Sequence, residues 1–303
     1  MHTENKPLAG QRIGIFGRGG SGKSTCTVLL AKAGYAVCVV DADSTNEALA
    51  QALGADKTPD SLLDWLGGTV FSGGPVTCPV DDPVPIVGAH VRSGQLPSRY
   101  FGQTSEGIRV FLAGKIGPLG PGAGCDGPMT KIARDFAFET DDPAPVTVLD
   151  FKAGIEDASR GVITRLDWVI VVMDPSYAGV RAAATMKPSL DQMHAGFLPA
   201  TRHLASPELV ELTRRNYLEA RTKGALYLLN KVPDADTEHF LWQRLLEAEI
   251  NVVASIPEET DLRQAWLEGA PLHNAHAEAE AGKIVRALEQ ERGAFAGGRV
   301  ALP

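Results

Sequence analysis

The chain has 303 residues, 44% of them hydrophobic, with 37 acidic against 29 basic side chains and a net charge of −8. That length and apolar content suffice for a large buried core, while the acidic balance argues against the clustered Lys and Arg that a nucleic-acid backbone or an anionic membrane surface requires. Four cysteines are too few for a disulfide framework, and the longest apolar runs fall short of a membrane span or signal peptide, so the expected setting is the cytoplasm, with no stable membrane association and no nucleic-acid partner.

In chain order, apolar runs of strand length are predicted at residues 12–16, 36–40, 108–113, 146–149, 168–173, 225–229 and 252–256. Several are nearly continuous rather than alternating, as strands covered on both faces should be. Helix-length segments fall between them at 23–33, 128–139, 155–166, 177–193, 207–222 and 237–248. This alternation predicts one α/β domain over 1–303, built on a doubly wound, mostly parallel sheet with helices on both faces. Residues 55–106, rich in Pro and Gly, read as an irregular insertion that offers a docking surface, and residues 293–303 as a flexible tail.

The strongest motif is Gly17-Arg18-Gly19-Gly20-Ser21-Gly22-Lys23-Ser24-Thr25, which satisfies G-x-x-x-x-G-K-[ST] between a strand and a helix. Glycines let backbone N–H groups wrap closely around phosphate, and the following helix turns its positive end to the same anion. Lys23 supplies the point charge for the β/γ oxygens, and Ser24 is placed to ligate Mg2+. A triphosphate site needs further carboxylates for the metal and the attacking water, and the adjoining strand ends offer Asp41, Asp43 and Asp150.

This run resembles the deviant Walker A motif of the P-loop ATPases that include MinD, the arsenite and tail-anchored-protein ATPases, the nitrogenase iron protein and the CooC-type nickel-insertion ATPases. There an early Lys reaches across a homodimer to the partner's phosphates. The resemblance implies that role in trans for Arg18, with a planar fork in place of an ammonium. Asp41-Ala42-Asp43 resembles the family's switch I, implying that Asp43 orients the attacking water, with Asp41 as a Mg2+-side alternative; either could instead cap the helix expected near Ser44. Asp150-Phe151-Lys152-Ala153-Gly154-Ile155-Glu156 resembles switch II, implying a Walker B role for Asp150 and a Gly154 N–H that approaches the γ-phosphate. Asn230 matches the residue that reads the base edge, or is a turn residue, and Ser255-Ile256-Pro257-Glu258 resembles the segment that packs Pro257 and Glu258 on the base. ATP is favoured over GTP because no N-K-x-D follows.

Gly122-Ala123-Gly124-Cys125-Asp126-Gly127-Pro128 resembles both the cluster-binding segment of the nitrogenase iron protein and the C-x-C segment of CooC proteins. The iron protein's second ligand position is Asp157 here, and the second Cys of the CooC pair is Gly127. Two Cys125 thiolates across a dimer could hold Ni2+, Zn2+ or Cu+ with help from Asp126, Asp157 or a client; alternatively Cys125 packs the helix start. Cys26, Cys38 and Cys78 read as structural or inert, and His273 and His276 as a solvated face. The resemblance, strongest to CooC-type proteins and including Asp174-Pro175-Ser176, implies a Mg2+-dependent ATPase switch. It would cycle between ATP and ADP, as a homodimer, and aid metal insertion into a client metalloenzyme. The alternatives are a MinD/ParA-like positioning ATPase and an ATP-gated electron donor.

Overall fold

The computed structural model describes residues 6–70, 74–116, 124–140, 144–154, 156–195 and 200–296. Their order is β1 (Arg12–Phe16), α1 (Lys23–Ala31), β2 (Val37–Asp41), α2 (Leu49–Leu53), α3 (Leu62–Trp65), β3 (His90–Arg92), β4 (Gly102–Gln103), β5 (Arg109–Leu112), α4 (Gly127–Asp135) and β6 (Ala137–Glu139). There follow β7 (Val146–Asp150), α5 (Glu156–Ser159), β8 (Trp168–Met173), α6 (Tyr177–His194), α7 (Pro207–Leu218), β9 (Gly224–Val232), α8 (Ala235–Glu247), β10 (Val252–Pro257), α9 (Thr260–Glu268) and α10 (Ala275–Ala296). Two 3-10 turns, Ser98–Tyr100 and Val162–Arg165, complete the set.

All seven predicted strands form, in an eight-stranded sheet ordered β10-β9-β8-β1-β7-β2-β5-β4. Its pairs are parallel except β4 with β5. Strands β1, β2, β7 and β8 are buried at every residue, which is why their sequences are mostly apolar on both faces. Two separate cores result. On one face Phe16, Val40, Phe111, Leu149 and Val171 pack with Met129 and Ile132 of α4, Met186 of α6 and Leu245 of α8. On the other, Ile13, Ile15, Val39, Val148 and Ile170 pack with Leu29 of α1 and Ile284 and Leu288 of α10. The sheet is therefore doubly wound, and the chain order reverses around β1, which lies between β7 and β8. Loops leaving the C-terminal ends of β1, β2, β7 and β9 converge at such a switch point, where α/β sheets bind ligands.

Three predicted elements differ. The helix expected over 128–139 stops at Asp135, because Phe136 turns extended (φ −66°, ψ 128°) and Ala137–Glu139 become β6, with Phe138 against Phe111 at 5.0 Å. The helix expected over 155–166 breaks at Gly161, whose φ of 85° ends α5 and starts a 3-10 turn. Residues 55–106 are less irregular than expected. They carry α3, β3 and β4, pair β3 with β6, and are tied to α4 by Asp82–Lys131 and by the Ile86 N–H donating to Asp135 Oδ2 at 3.0 Å. Of the predicted tail at 293–303, α10 includes the backbone through Ala296, and residues 297–303 lie outside the described residues, as do Gly122, Ala123 and Ile155.

Candidate functional site

Between Phe16 and Lys23 the chain must turn from the central strand straight into a helix, and the glycines make that turn. Gly22 sits at φ 89°, and a Cβ there would lie 2.1 Å from Asn230 Nδ2. Only glycine fits. Helix α1 begins with neither a side-chain cap nor an acidic residue in its first turn, so its positive end is left for an anion.

Lys23 is nearly buried, with Nζ 3.4 Å from the Arg18 carbonyl; burial pushes its pKa down, against the charges of Asp150 and Asp43. Ser24 Oγ donates to Asp150 Oδ2 at 2.6 Å. Asp150 is fully buried, and burial lifts its carboxyl to about 6, opposed by the Ser24 hydrogen bond and the Lys23 charge. Its other oxygen, Oδ1, has no hydrogen-bond partner among the described residues. A buried carboxylate oxygen without a donor is costly and is the kind of group a cation satisfies.

A cavity of about 630 Å³ opens beside Ser24, while Asp150 lies buried behind Ser24 and, like Arg18 and Gly154, does not line it. Gly19, Gly20, Gly22, Lys23, Ser24, Thr25, Asp43, Asn230, Pro257 and Glu258, all predicted, line it. Thr45, Asn46, Lys231, Leu262, Arg263 and Trp266 line it as well, and sequence reading missed them. Trp266 Nε1 donates to Thr25 Oγ1 at 2.9 Å, and its i,i+4 spacing from Leu262 was the available signal. Lys231 stands at φ 60° with Nζ 2.9 Å from the Gly20 carbonyl, a strained backbone beside the phosphate loop.

Asp41 is placed differently from expectation, and several other predicted residues have partners within the chain. Asp41 does not line this cavity; it is ion-paired with Lys115 at 2.9 Å and lines a second cavity, with burial lifting its carboxyl to about 7 against the Lys115 charge. Asp43 spends Oδ1 on the turn that follows, accepting from Thr45 N at 2.9 Å, Thr45 Oγ1 at 2.7 Å and Asn46 N at 3.3 Å. It caps that turn while lining the cavity. The Gly154 N–H donates to the Gly17 carbonyl at 3.0 Å, so switch II is latched to the phosphate loop by the group expected to meet phosphate. Asn230 is 3% exposed and its Nδ2 donates to the Ser21 carbonyl at 2.8 Å, bracing the loop as well as facing the cavity. Arg18 is held within its own chain, with Nη1 2.9 Å from Asp174 Oδ2 and 3.3 Å from Ser176 Oγ.

Cys125 lies away from the cavity, half-buried at the start of α4, with Sγ accepting the Gly127 N–H at 3.3 Å. Its suggested co-ligands are spent: Asp126 is paired with Lys152 and Arg160, and Asp157 with Arg160 and Thr130. Among the described residues no group of three or more His, Cys, Asp or Glu is arranged to hold a metal. Cys78, read as inert, is the unexpected neighbour. A Cβ on Gly127 would meet Cys78 Cβ at 2.8 Å and Sγ at 3.3 Å, so both sulfurs flank one glycine. His273 and His276 do not share a site, pairing with Glu278 and Glu259 respectively.

No helix among the described residues is long and apolar enough to cross a membrane. The family model of the CobQ/CobB/MinD/ParA nucleotide binding domain matches residues 15–272. An uncharacterized ATP-binding protein of Methanocaldococcus jannaschii is 33% identical over 177 residues, 56% of this chain and 69% of that one. The carbon monoxide dehydrogenase accessory protein CooC of Rhodospirillum rubrum is 28% identical over 190 residues, 58% of this chain and 67% of that one. Among solved structures, MinD of Pyrococcus horikoshii in complex with Mg-ADP superposes with a TM-score of 0.55 at 16% identity, covering 96% of this chain and 99% of that one. A ParA family ATPase from Chlorobium tepidum gives 0.56 at 16% identity, covering 92% and 99%. At those identities the structural likeness speaks for the fold.

Proposed function

The chain belongs to the CobQ/CobB/MinD/ParA nucleotide-binding family, and from that premise we propose that it is a Mg2+-dependent ATPase working as a homodimeric switch. One observation carries the reading: the Ser24 hydroxyl, which lines a cavity walled by the glycine loop, is in contact at 2.6 Å with the carboxylate of Asp150 buried behind it. Oxygen donors alone suit Mg2+, and Ser24 with the unpartnered Asp150 Oδ1 are the residues that would hold it. Bound there, the ion would neutralise charge gathering on the β- and γ-phosphate oxygens. Lys23 and the N-terminus of α1 bind the same phosphates, Asp43 orients the water, and Asn230, Pro257 and Glu258 hold the base.

Arg18 serves as a charge to be released. In the single chain Asp174 and Ser176 hold it; in the closed dimer it reaches the partner's phosphates. Arg18→Ala is then expected to keep nucleotide binding within about threefold while lowering ATP turnover by roughly 10³-fold or more. Light scattering with a non-hydrolysable analogue checks the cause, since the variant should remain monomeric where wild type dimerises. Dimerisation and turnover both unaffected would rule the role out.

The likeness to CooC, together with two sulfurs beside Gly127, supports a finer reading in which the switch carries a soft or borderline metal ion to a client metalloenzyme. Equilibrium dialysis with Zn2+ or Ni2+ tests it. Uptake that depends on ATP and drops in Cys125→Ser and Cys78→Ser agrees with cargo handling; equal uptake in all three proteins contradicts it.

A further inference from the structure

We propose that Lys115 is a positioning residue, a strut that holds the loop of residues 41–46 in the shape that presents Asp43 and Asn46 to the nucleotide cavity. The inference rests on the ATPase reading for its catalytic consequence and on geometry alone for the strut.

Lys115 lies just beyond β5, with its side chain 14% exposed. Its Nζ donates to Asp41 Oδ2 at 2.9 Å and to the backbone carbonyls of Asp43 and Asn46. An ammonium has three hydrogens, and all three are spent on this one loop. The far side of the loop is tied to the chemistry: Asn46 Nδ2 donates to Ser24 Oγ at 3.0 Å, and Ser24 in turn donates to Asp150. The contacts thus run unbroken from Lys115 through Asn46 to the residues that face phosphate.

What lies beneath the loop explains why a strut is needed. Asp43, Thr45 and Asn46 line the nucleotide cavity of about 630 Å³. On the other side a second cavity of about 430 Å³ is lined by Asp41, Glu47, Gln51, Thr58 and Lys115. The loop borders the nucleotide cavity at Asp43, Thr45 and Asn46 and the second cavity at Asp41, with Ala42 and Ser44 buried between. Asp43 and Asn46 are only partly buried and Thr45 is exposed, so their placement depends on hydrogen bonds, and Lys115 holds the carbonyls of Asp43 and Asn46 and the Asp41 carboxylate from a single atom.

Lys115→Met keeps the unbranched stem as far as Cε and removes the ammonium, and Asp41→Asn/Lys115→Met also removes the carboxylate left unpaired by that change, guarding against a folding defect. Turnover is counted per nucleotide-binding site, so unfolded protein does not enter. In both variants kcat is expected to fall by about tenfold to a hundredfold with KM for ATP within about threefold, the signature of misplaced groups rather than lost binding. Amide exchange, measured without nucleotide, should quicken at Thr45 and Asn46 by about tenfold or more and stay unchanged in α1. Unchanged kcat per site, or unchanged exchange in the loop, would overturn the proposal. A wild-type protein with no turnover would sink the ATPase reading, and the exchange measurement would still decide whether Lys115 holds the loop.

Discussion

Asp150→Asn should be more stable than the wild-type protein near pH 7 and nearly inactive. Burial lifts the Asp150 carboxyl from 3.8 to about 6. The native state therefore binds a proton that the unfolded chain has already lost, and stability falls as pH rises from about 4 through about 6. Above that window the ionised, half-partnered carboxylate costs on the order of 3 kcal/mol, at about 1.4 kcal/mol per unit. An amide of the same shape removes the cost, so the variant's melting temperature should exceed the wild type's at pH 7.5, and the gain should vanish at pH 4. Activity moves the other way. The amide brings no charge to the cation and cannot balance Lys23, so turnover should drop by roughly 10²–10³, as for loss of a main electrostatic stabiliser. Melting curves at the two pH values and a phosphate-release assay read both halves. A destabilised Asp150→Asn at pH 7.5 would contradict the burial argument, and a fully active one the metal-side role. Acidification of the wild type through pH 6 should likewise weaken Mg2+-dependent nucleotide binding, because a protonated Asp150 cannot serve as an anionic ligand.

Gly22→Ala is expected to damage the site through its backbone. The added methyl would stand 2.1 Å from Asn230 Nδ2, and a φ of 89° is strained for alanine. The left-handed backbone costs about 1–2 kcal/mol. Displacing Asn230 breaks its 2.8 Å bond to the Ser21 carbonyl inside a buried site, for about 1–3 kcal/mol more. The sum corresponds to a fall in melting temperature of roughly 3–8 °C, with nucleotide affinity lost alongside it because the phosphate loop is re-shaped. Gly20→Ala is the control. It shares a positive φ of 82°, but a Cβ there meets nothing within 4 Å, so only the backbone strain applies and the fall should be about half as large. Equal losses would mean that the Asn230 contact does not matter.

The sheet could be read from the chain because parallel strands buried on both faces leave nearly continuous apolar runs, unbroken in β8 and interrupted only by Arg12 in β1 and by Thr147 and Asp150 in β7. The phosphate loop was legible for a related reason: its chemistry is contiguous, with glycines, Lys23 and Ser24 in one stretch. Groups that act through contacts distant in sequence were not. Lys115 stands in an unremarkable segment after β5, and its three acceptors come from a loop some 70 residues earlier. Resemblance alone favours Asp43 over Asp41; what separates them physically is that Lys115 claims Asp41 and the following turn claims Asp43. Cys78 lies in a Pro- and Gly-rich stretch without periodicity, so nothing local placed it against Gly127. The misplaced end of α4 has a different cause. Ala, Phe and Glu at 137–139 fit a helix by propensity, and pairing with β3 together with burial of Phe138 outweighs that preference.

Calorimetric titration of ATP with Mg2+ into the purified wild-type chain, repeated on Lys23→Ala, goes most directly to the claim that the cavity lined by Lys23 and Ser24 is a triphosphate site. The account predicts saturable uptake approaching one nucleotide per chain, weakened at least a hundredfold when Lys23 is removed, in line with the few kcal/mol that a buried charge contact to phosphate contributes. No uptake by the wild type, or equal uptake by the variant, would contradict it.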